Sequence, residues 1–204
     1  MGRTRVLRVD PETPSRAVIS DAAAVLACKG LVAFPTETFY GLGADAREPA
    51  AVRRVFEVKG RPESKPLLVL VDSIAMAESL ADEIPSQARA LIARHWPGPL
   101  TLVLRARPTV PAEITAGTGT VGIRMPGHAV ALALVQALGG PVTAPSANPS
   151  GAAPPTTAED VLAAFESKIE LVLDGGKTTG GPASTIVDAT ANPPRVLRAG
   201  AVKL

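Results

Sequence analysis

Residues 59–71 read KGRPESKPLLVLV, a basic segment that runs directly into a short apolar one. The apolar part, 67–71, consists of five consecutive branched aliphatic side chains, which is typical of a strand buried on both faces of a sheet. The next two residues are an aspartate and a serine, both common N-caps of helices. The stretch therefore predicts a buried strand that leads into a helix. Three cations precede that strand: Lys59, Arg61 and Lys65.

On both sides of this stretch, apolar positions at helical spacing alternate with short apolar runs bounded by glycine and proline. Helices are predicted over 15–29, from about 49, 73 and 85, over 127–138, and over 157–165, where Thr157-x-x-Asp160 matches a capping box. Further strands are predicted over 31–34, 100–105, 121–125, 141–144, 169–173, 185–188 and 195–198. We therefore expect an α/β domain around one sizeable mixed sheet of about seven or eight strands.

The composition is typical of a folded chain with a sizeable core. Of the 204 residues, 46% are hydrophobic and 20% are charged, which argues against disorder. No apolar run approaches the ~18 residues that span a bilayer, and no secretory signal is visible. The lone cysteine, Cys28, argues against a disulfide framework or zinc cluster, and its place on an apolar helix face predicts burial. We expect a soluble, cytoplasmic protein without a membrane segment.

Polar segments adjoin the apolar strands, which is where ligands bind in α/β sheets. They contain threonine, serine and asparagine for neutral hydrogen bonds, together with cations, but no nucleophile motif and no obvious base. Such a site suits phosphates and carboxylates that react with one another, with catalysis by positioning and charge stabilisation. The cations are Lys59, Arg61, Lys65, Arg124 and Arg198.

Eight motifs stand along the chain in this order: PTET-x-YGLGADA, K-x-R-P-x-x-KPL, WPGPLT, V-x-I-R-MP, APSAN-x-SG, DGG, STI-x-D and VLR-x-G. Together they resemble the YrdC-like family of threonylcarbamoyl-AMP synthases, and the resemblance covers the chain from about Val9 to Gly200. It implies a twisted sheet of parallel and antiparallel strands, curled around a positively charged cavity with the helices outside. It also implies a single domain over 1–204, of the short type without an additional C-terminal domain.

The activity that this resemblance implies is the formation of threonylcarbamoyl-AMP and pyrophosphate from L-threonine, bicarbonate and ATP. Magnesium would accompany the ATP, with no organic cofactor and no metal ligand from the protein's side chains. The product would pass to the threonylcarbamoyl transferase machinery that acts on tRNA, and direct tRNA binding would be weak.

Site residues follow from the same motifs. The resemblance implies catalytic roles for Lys59 and Arg61. It implies ATP contacts from Arg61, Lys65, Thr120, Ser146, Asn148, Pro154 and Arg198. It implies L-threonine contacts from Thr38, Leu70, Arg124, Ala144 and Ser184. Two of these depart from the family pattern, since Leu70 stands where relatives can carry a polar side chain and Pro154 has no side-chain donor.

Two alternatives stay open at this point. An RNA-binding module would explain the cations, although 3% aromatic residues and a net charge of +2 argue against it. The other alternative is a related carbamoyl-transfer domain like that in hydrogenase maturation proteins, although those proteins are much longer and carry zinc-finger cysteines and an acylphosphatase module.

Overall fold

Residues 2–204, which the computed structural model describes, form ten strands and seven helices. The strands are β1 (Arg5–Arg8), β2 (Val32–Pro35), β3 (Tyr40–Gly43), β4 (Leu68–Leu70), β5 (Leu100–Arg105), β6 (Thr120–Arg124), β7 (Val142–Thr143), β8 (Leu171–Asp174), β9 (Thr185–Asp188) and β10 (Arg195–Arg198). The helices are α1 (Arg16–Ala27), α2 (Pro49–Lys59), α3 (Ile74–Leu80), α4 (Ser86–His95), α5 (Ala112–Thr115), α6 (Ala129–Leu138) and α7 (Ala158–Phe165).

The strands form two sheets, with the orders β1-β8-β2-β3 and β10-β9-β5-β6-β4-β7. Both contain parallel and antiparallel pairs; for example, β4 runs parallel to β6 and antiparallel to β7. The mixed α/β class predicted from the sequence is therefore confirmed. The prediction of one sheet was wrong, because hydrophobic patterning locates strands but does not say which strands pair.

A short connection joins the two sheets. The residues that follow β7 lie along β3, where Leu42 N–H donates to the Pro145 carbonyl at 2.8 Å and Ala147 N–H donates to the Tyr40 carbonyl at 2.8 Å. Gly43 makes this approach feasible, since a Cβ there would lie 3.0 Å from Cγ1 of Val142 on β7. The edge of the first sheet thus reaches the second sheet.

Two strands escaped the sequence analysis. Strand β3 reads YGLG, and its alternating glycines hide a segment in which every residue is buried. Strand β1 reads RVLR and is mostly exposed, so it lacks the apolar run of a buried strand. In each case pairing with a neighbour, rather than local sequence, makes the strand.

Helix boundaries follow the predicted caps closely. The Ser73 side chain accepts a hydrogen bond from Met76 N at the start of α3, and Thr157 and Asp160 form the predicted capping box of α7. The prediction that Cys28 is buried was wrong: α1 ends at Ala27, and Cys28 is its exposed C-cap. None of the helices in the described part of the chain combines the length and apolar character needed to cross a bilayer.

Candidate functional site

A cavity of about 330 Å³ is lined by residues of both sheets and of the loops between them. Strand β3 contributes from the first sheet; β4, β6, β9 and β10 contribute from the second. Nine of the thirteen residues that the sequence analysis assigned to the site line it: Thr38, Lys59, Arg61, Arg124, Ala144, Ser146, Pro154, Ser184 and Arg198. Segments far apart in the sequence therefore meet around one space.

Lys59 is the last residue of α2 and is almost completely buried. Its Nζ donates to two backbone carbonyls, that of Ser146 at 2.5 Å and that of Asn148 at 2.6 Å. Burial, and secondly the charge of Arg61, lower the pKa of the Lys59 ammonium to about 8. The ammonium is therefore charged at neutral pH and ties the end of α2 to the 146–148 segment.

Arg61 follows the same end of α2 as Lys59, but the chain has turned before it. Gly60 adopts a left-handed conformation, with a φ of 58°, and this turns the chain out of α2. The Arg61 guanidinium then donates to the carbonyls of Lys65 at 3.3 Å and Pro66 at 2.8 Å. Partial burial lowers the pKa of this guanidinium, but not enough to remove its charge at neutral pH.

Arg198 reaches the cavity from the opposite side, on β10. It donates to the Ser184 carbonyl at 2.7 and 3.1 Å and to the Ser184 hydroxyl at 3.0 Å. Among the described residues, no carboxylate pairs with Lys59, Arg61 or Arg198. Three cations thus face the cavity with only neutral oxygens as partners, which is the environment of an anion-binding site.

Arg124, at the end of β6, differs from these three because it has an acidic partner. Its Nη2 lies 2.6 Å from Oε1 of Glu37, and its Nε donates to the Gly98 carbonyl at 3.2 Å. The contact between Nη2 and Oε1 lacks hydrogen-bond geometry, so Arg124 Nη2 is buried without a hydrogen-bond partner among the described residues. The other carboxylate oxygen, Glu37 Oε2, is also buried without a partner in this part of the chain. Burial is the largest single influence and raises the pKa of the Glu37 carboxyl, but the charge of Arg124 and the hydrogen bonds that the carboxylate accepts, including that from Gly127 N–H, together lower the pKa by more, so the net shift is downward.

Neutral hydroxyl groups complete the wall. The hydroxyls of Thr36 and Thr38 lie 3.2 Å apart, and that of Ser184 lies 3.0 Å from the hydroxyl of buried Thr101. Tyr40 donates its hydroxyl to the Gly176 carbonyl at 2.7 Å, which anchors the glycine-rich loop after β8. Burial, and secondly the charge of Asp174, raise the pKa of Tyr40 to about 12. The tyrosine is therefore a neutral anchor.

Four of the predicted site residues are not part of the cavity wall. Lys65 is exposed, and the hydroxyl of Thr120 lies 2.9 Å from that of Thr118. Leu70 is fully buried in the apolar core. Asn148 is buried and donates its amide to the Pro149 and Ala152 carbonyls, at 2.9 and 2.8 Å, while its Oδ1 has no partner in the described part of the chain.

The sequence analysis did not single out Glu37, Tyr40 or Thr101. All three lie beside predicted site residues, and Glu37 and Tyr40 belong to the PTET-x-YGLGADA motif. The signal that would have identified Glu37 is its charge, since an acidic residue next to a buried strand needs a cationic partner. Its pairing with Arg124, 87 positions away, is visible only in the folded chain.

The basic run over residues 47–65 contains six cations, Arg47, Arg53, Arg54, Lys59, Arg61 and Lys65, and half of them form ion pairs. Arg47 pairs with Asp45 at 2.7 Å, Arg54 pairs with Glu170 at 2.8 Å, and Arg53 pairs with Glu113. These exposed or half-buried ion pairs account for three of its six cations. The run therefore does not form a continuous basic surface of the kind that binds nucleic acid.

Metal ligands are scarce in this site. The polar side chains that line the cavity are cations and hydroxyls, and among residues 2–204 no group of three or more His, Cys, Asp or Glu side chains could hold a metal ion. This donor set fits phosphate or carboxylate oxygens and does not fit a divalent cation.

Comparison with known proteins agrees with this geometry. The family profile described as "Telomere recombination", for Sua5, YciO and YrdC proteins, matches residues 24–200. Threonylcarbamoyl-AMP synthase of Pyrococcus abyssi is 51% identical over 174 residues, which are 85% of this chain and 51% of that protein. The Bacillus subtilis protein of the same name is 45% identical over 185 residues, which are 90% of this chain and 54% of that protein.

The crystal structure of P. abyssi Sua5 complexed with L-threonine has the same fold. It superposes with a TM-score of 0.93 at 48% identity, over 97% of this chain and 58% of the other. The chain thus spans about half the length of these relatives. Because the family profile matches most of its residues, the chain belongs to the Sua5/YciO/YrdC family.

Proposed function

We propose that this chain is an L-threonylcarbamoyladenylate synthase, a nucleotidyltransferase that forms threonylcarbamoyl-AMP and pyrophosphate from L-threonine, bicarbonate and ATP. The observation that carries the proposal is the charge arrangement of the cavity. Lys59, Arg61 and Arg198 face it without acidic partners, whereas Arg124 is paired with Glu37. A polyphosphate suits the first group, and the single carboxylate of an amino acid suits Arg124, whose charge is already balanced.

The reaction follows in two stages. The C–OH bond of bicarbonate breaks to give carbon dioxide and hydroxide, the neutral amine of threonine attacks the carbon of carbon dioxide, and a C–N bond forms. The amine proton passes to the hydroxide as water, which leaves a carbamate. A carbamate oxygen then attacks the α-phosphorus of ATP; a P–O bond forms to the carbamate, the bond to the β-phosphate oxygen breaks, and pyrophosphate leaves. Catalysis of this kind depends on holding two anions in line and offsetting the charge that develops between them.

Each cavity residue has a role in this scheme. Lys59 and Arg61 offset charge on the phosphates, and Arg124 binds the carboxylate of threonine. Arg198 and Ser146 contact the nucleotide, and the hydroxyls of Thr38 and Ser184 contact threonine. The sequence also assigned Lys65, Thr120, Asn148 and Pro154 to ATP, and Leu70 and Ala144 to threonine. Those assignments stay predictions.

Magnesium would enter with ATP and reduce the charge of its phosphates. Since the cavity offers cations rather than carboxylates, the protein's own contribution is made by Lys59 and Arg61.

The wider setting belongs to the same proposal. The product would pass to the threonylcarbamoyl transferase machinery that acts on tRNA, with weak direct tRNA binding. A single domain over 1–204 and a cytoplasmic location stay predictions.

The test is pyrophosphate release from ATP by the purified chain. We expect release only when L-threonine and bicarbonate are both present, and no release when L-alanine replaces threonine. Release that ignores threonine would contradict the proposed substrate. Absence of release from folded, ATP-binding protein, together with salt-dependent tRNA affinity, would favour an RNA-binding module instead.

A further inference from the structure

Glu37 is an acidic residue beside a cavity whose other charged groups are cations, and the proposed reaction gives it no role. Its Oε1 lies 2.6 Å from Arg124 Nη2 and accepts a hydrogen bond from Gly127 N at 3.1 Å. Its own carbonyl accepts a hydrogen bond from the Thr179 hydroxyl at 2.7 Å. Glu37 is therefore held from three directions: the residues that precede α6, the loop after β8, and β6 through Arg124.

The pair that it forms is well shielded from water. The side chain of Arg124 is 5% exposed and that of Glu37 is 20% exposed. Two titratable groups interact electrostatically with the pair. Burial lowers the pKa of His128 and outweighs the opposite effect of Glu37, and burial, and secondly the charge of Arg124, lower the pKa of Arg198. The charges of Arg124 and Glu37 therefore cancel within a largely dry environment, where each would act strongly if the other were absent.

This balance contrasts with the rest of the cavity. Lys59, Arg61 and Arg198 have neutral partners only, so the cavity already attracts phosphate groups. A fourth unbalanced cation would add another phosphate site where the amino acid has to bind. Phosphate is attracted mainly by unpaired positive charge, whereas the carboxylate of an amino acid can be held by the directional donors of a fixed guanidinium whose charge is already balanced.

We propose that Glu37 is a positioning and specificity-determining residue of the amino-acid subsite. It holds the Arg124 guanidinium in place and cancels its charge, so that the subsite accepts an α-amino acid and excludes phosphate. Glu37 itself acts through Arg124, because it does not line the cavity. This inference rests on the proposed function, since it presumes that L-threonine binds at Arg124.

The experiment is a titration of the folded chain with L-threonine, with and without α,β-methylene-ATP and with and without inorganic phosphate. We expect Glu37→Gln to weaken threonine binding about tenfold, in the range for coupled residues in contact, while ATP-analogue affinity changes less than about twofold. We expect phosphate to compete with threonine in Glu37→Gln but not in the wild type. Glu37→Asp, which keeps the charge, should restore part of the affinity and the exclusion of phosphate.

Glu78→Gln is the matched control, because Glu78 forms an exposed pair with Arg89 at 2.9 Å and should leave threonine binding unchanged. If Glu37→Gln binds threonine as tightly as the wild type and phosphate does not compete, the inference about Glu37 is wrong, while the proposed function is unaffected. A wild type that binds the ATP analogue but never threonine would overturn the proposed function and the inference together.

A double variant keeps the test decisive if Glu37→Gln fails to fold. Glu37→Gln combined with Arg124→Met removes both charges, which is better tolerated than leaving one buried charge unpaired. If Glu37 acts through Arg124, the double variant binds threonine as Arg124→Met does alone. A further loss in the double variant would contradict that route.

Discussion

Replacing Arg61 with alanine removes a positive charge from the cavity and should have little effect on the stability of the fold. The guanidinium makes hydrogen bonds to the carbonyls of Lys65 and Pro66, both at exposed residues, and it has no acidic partner among the described residues. Water can replace the guanidinium at those carbonyls. We therefore expect Arg61→Ala to change the free energy of unfolding by only about 0.5–1 kcal/mol.

The effect on the reaction should be far larger. If Arg61 stabilises charge that develops on the phosphates, its removal should lower turnover about 10²–10³-fold, or about 2.7–4 kcal/mol of transition-state stabilisation. The loss in stability corresponds to a fall in Tm of about 2–4 °C at most for a chain of this length. The two effects are therefore distinguishable in one set of samples.

The assay is pyrophosphate release with saturating ATP, L-threonine and bicarbonate, alongside a thermal melt. Arg53→Ala is the control, because Arg53 lies in the same basic run but pairs with Glu113 on the surface, where an ion pair contributes about 0–1 kcal/mol. We expect Arg53→Ala to retain normal turnover. A folded Arg61→Ala with turnover close to wild type would refute the role given to Arg61.

Three further predictions test the charge and packing of the site. Because the pKa of Lys59 lies at about 8, its charge is lost as pH rises from 7 to 9, and ATP affinity measured by calorimetry should fall over that range in the wild type but not in Lys59→Met. The unfolded chain keeps this proton up to about pH 10.5, so between pH 8 and 10.5 it binds more protons than the folded chain, and Lys59 should make the free energy of unfolding rise with pH. The measurement is urea unfolding of the wild type and of Lys59→Met over this pH range. A difference in unfolding free energy that does not change with pH would contradict the lowered pKa. Gly60→Ala, at a φ of 58°, should lower stability by about 1–2 kcal/mol, and an unchanged Tm would show that the left-handed turn is not required. Leu70→Ala should lower stability by about 2–5 kcal/mol in chemical denaturation, because Leu70 is fully buried. A loss of threonine affinity without a loss of stability would instead indicate that Leu70 contacts threonine.

Local sequence predicted those elements whose signal lies within the element itself. Strands β5 and β9 have the predicted bounds of 100–105 and 185–188, because aliphatic and β-branched residues between turn formers mark them. Strand β10 also matches its predicted range of 195–198, but it has the same sequence, RVLR, as the unpredicted β1 and is likewise exposed, so the local sequence does not distinguish these two strands. The capping residues Ser73 and Thr157 located the starts of α3 and α7. Strand β3 and the division into two sheets could not be predicted in this way, since both depend on pairing between distant segments.

The sequence by itself determined which chemical groups the site has: cations, hydroxyls and backbone carbonyls, carried by motifs that also place the chain in its family. Only the tertiary structure decided how those groups pair. It holds Lys59 between the Ser146 and Asn148 carbonyls, and it leaves Leu70 in the core. It also brings Glu37 to Arg124, so that one cation of the cavity is balanced while three are not. The physical reason is that electrostatic interactions depend on distance and burial, and neither can be read from the order of residues along the chain.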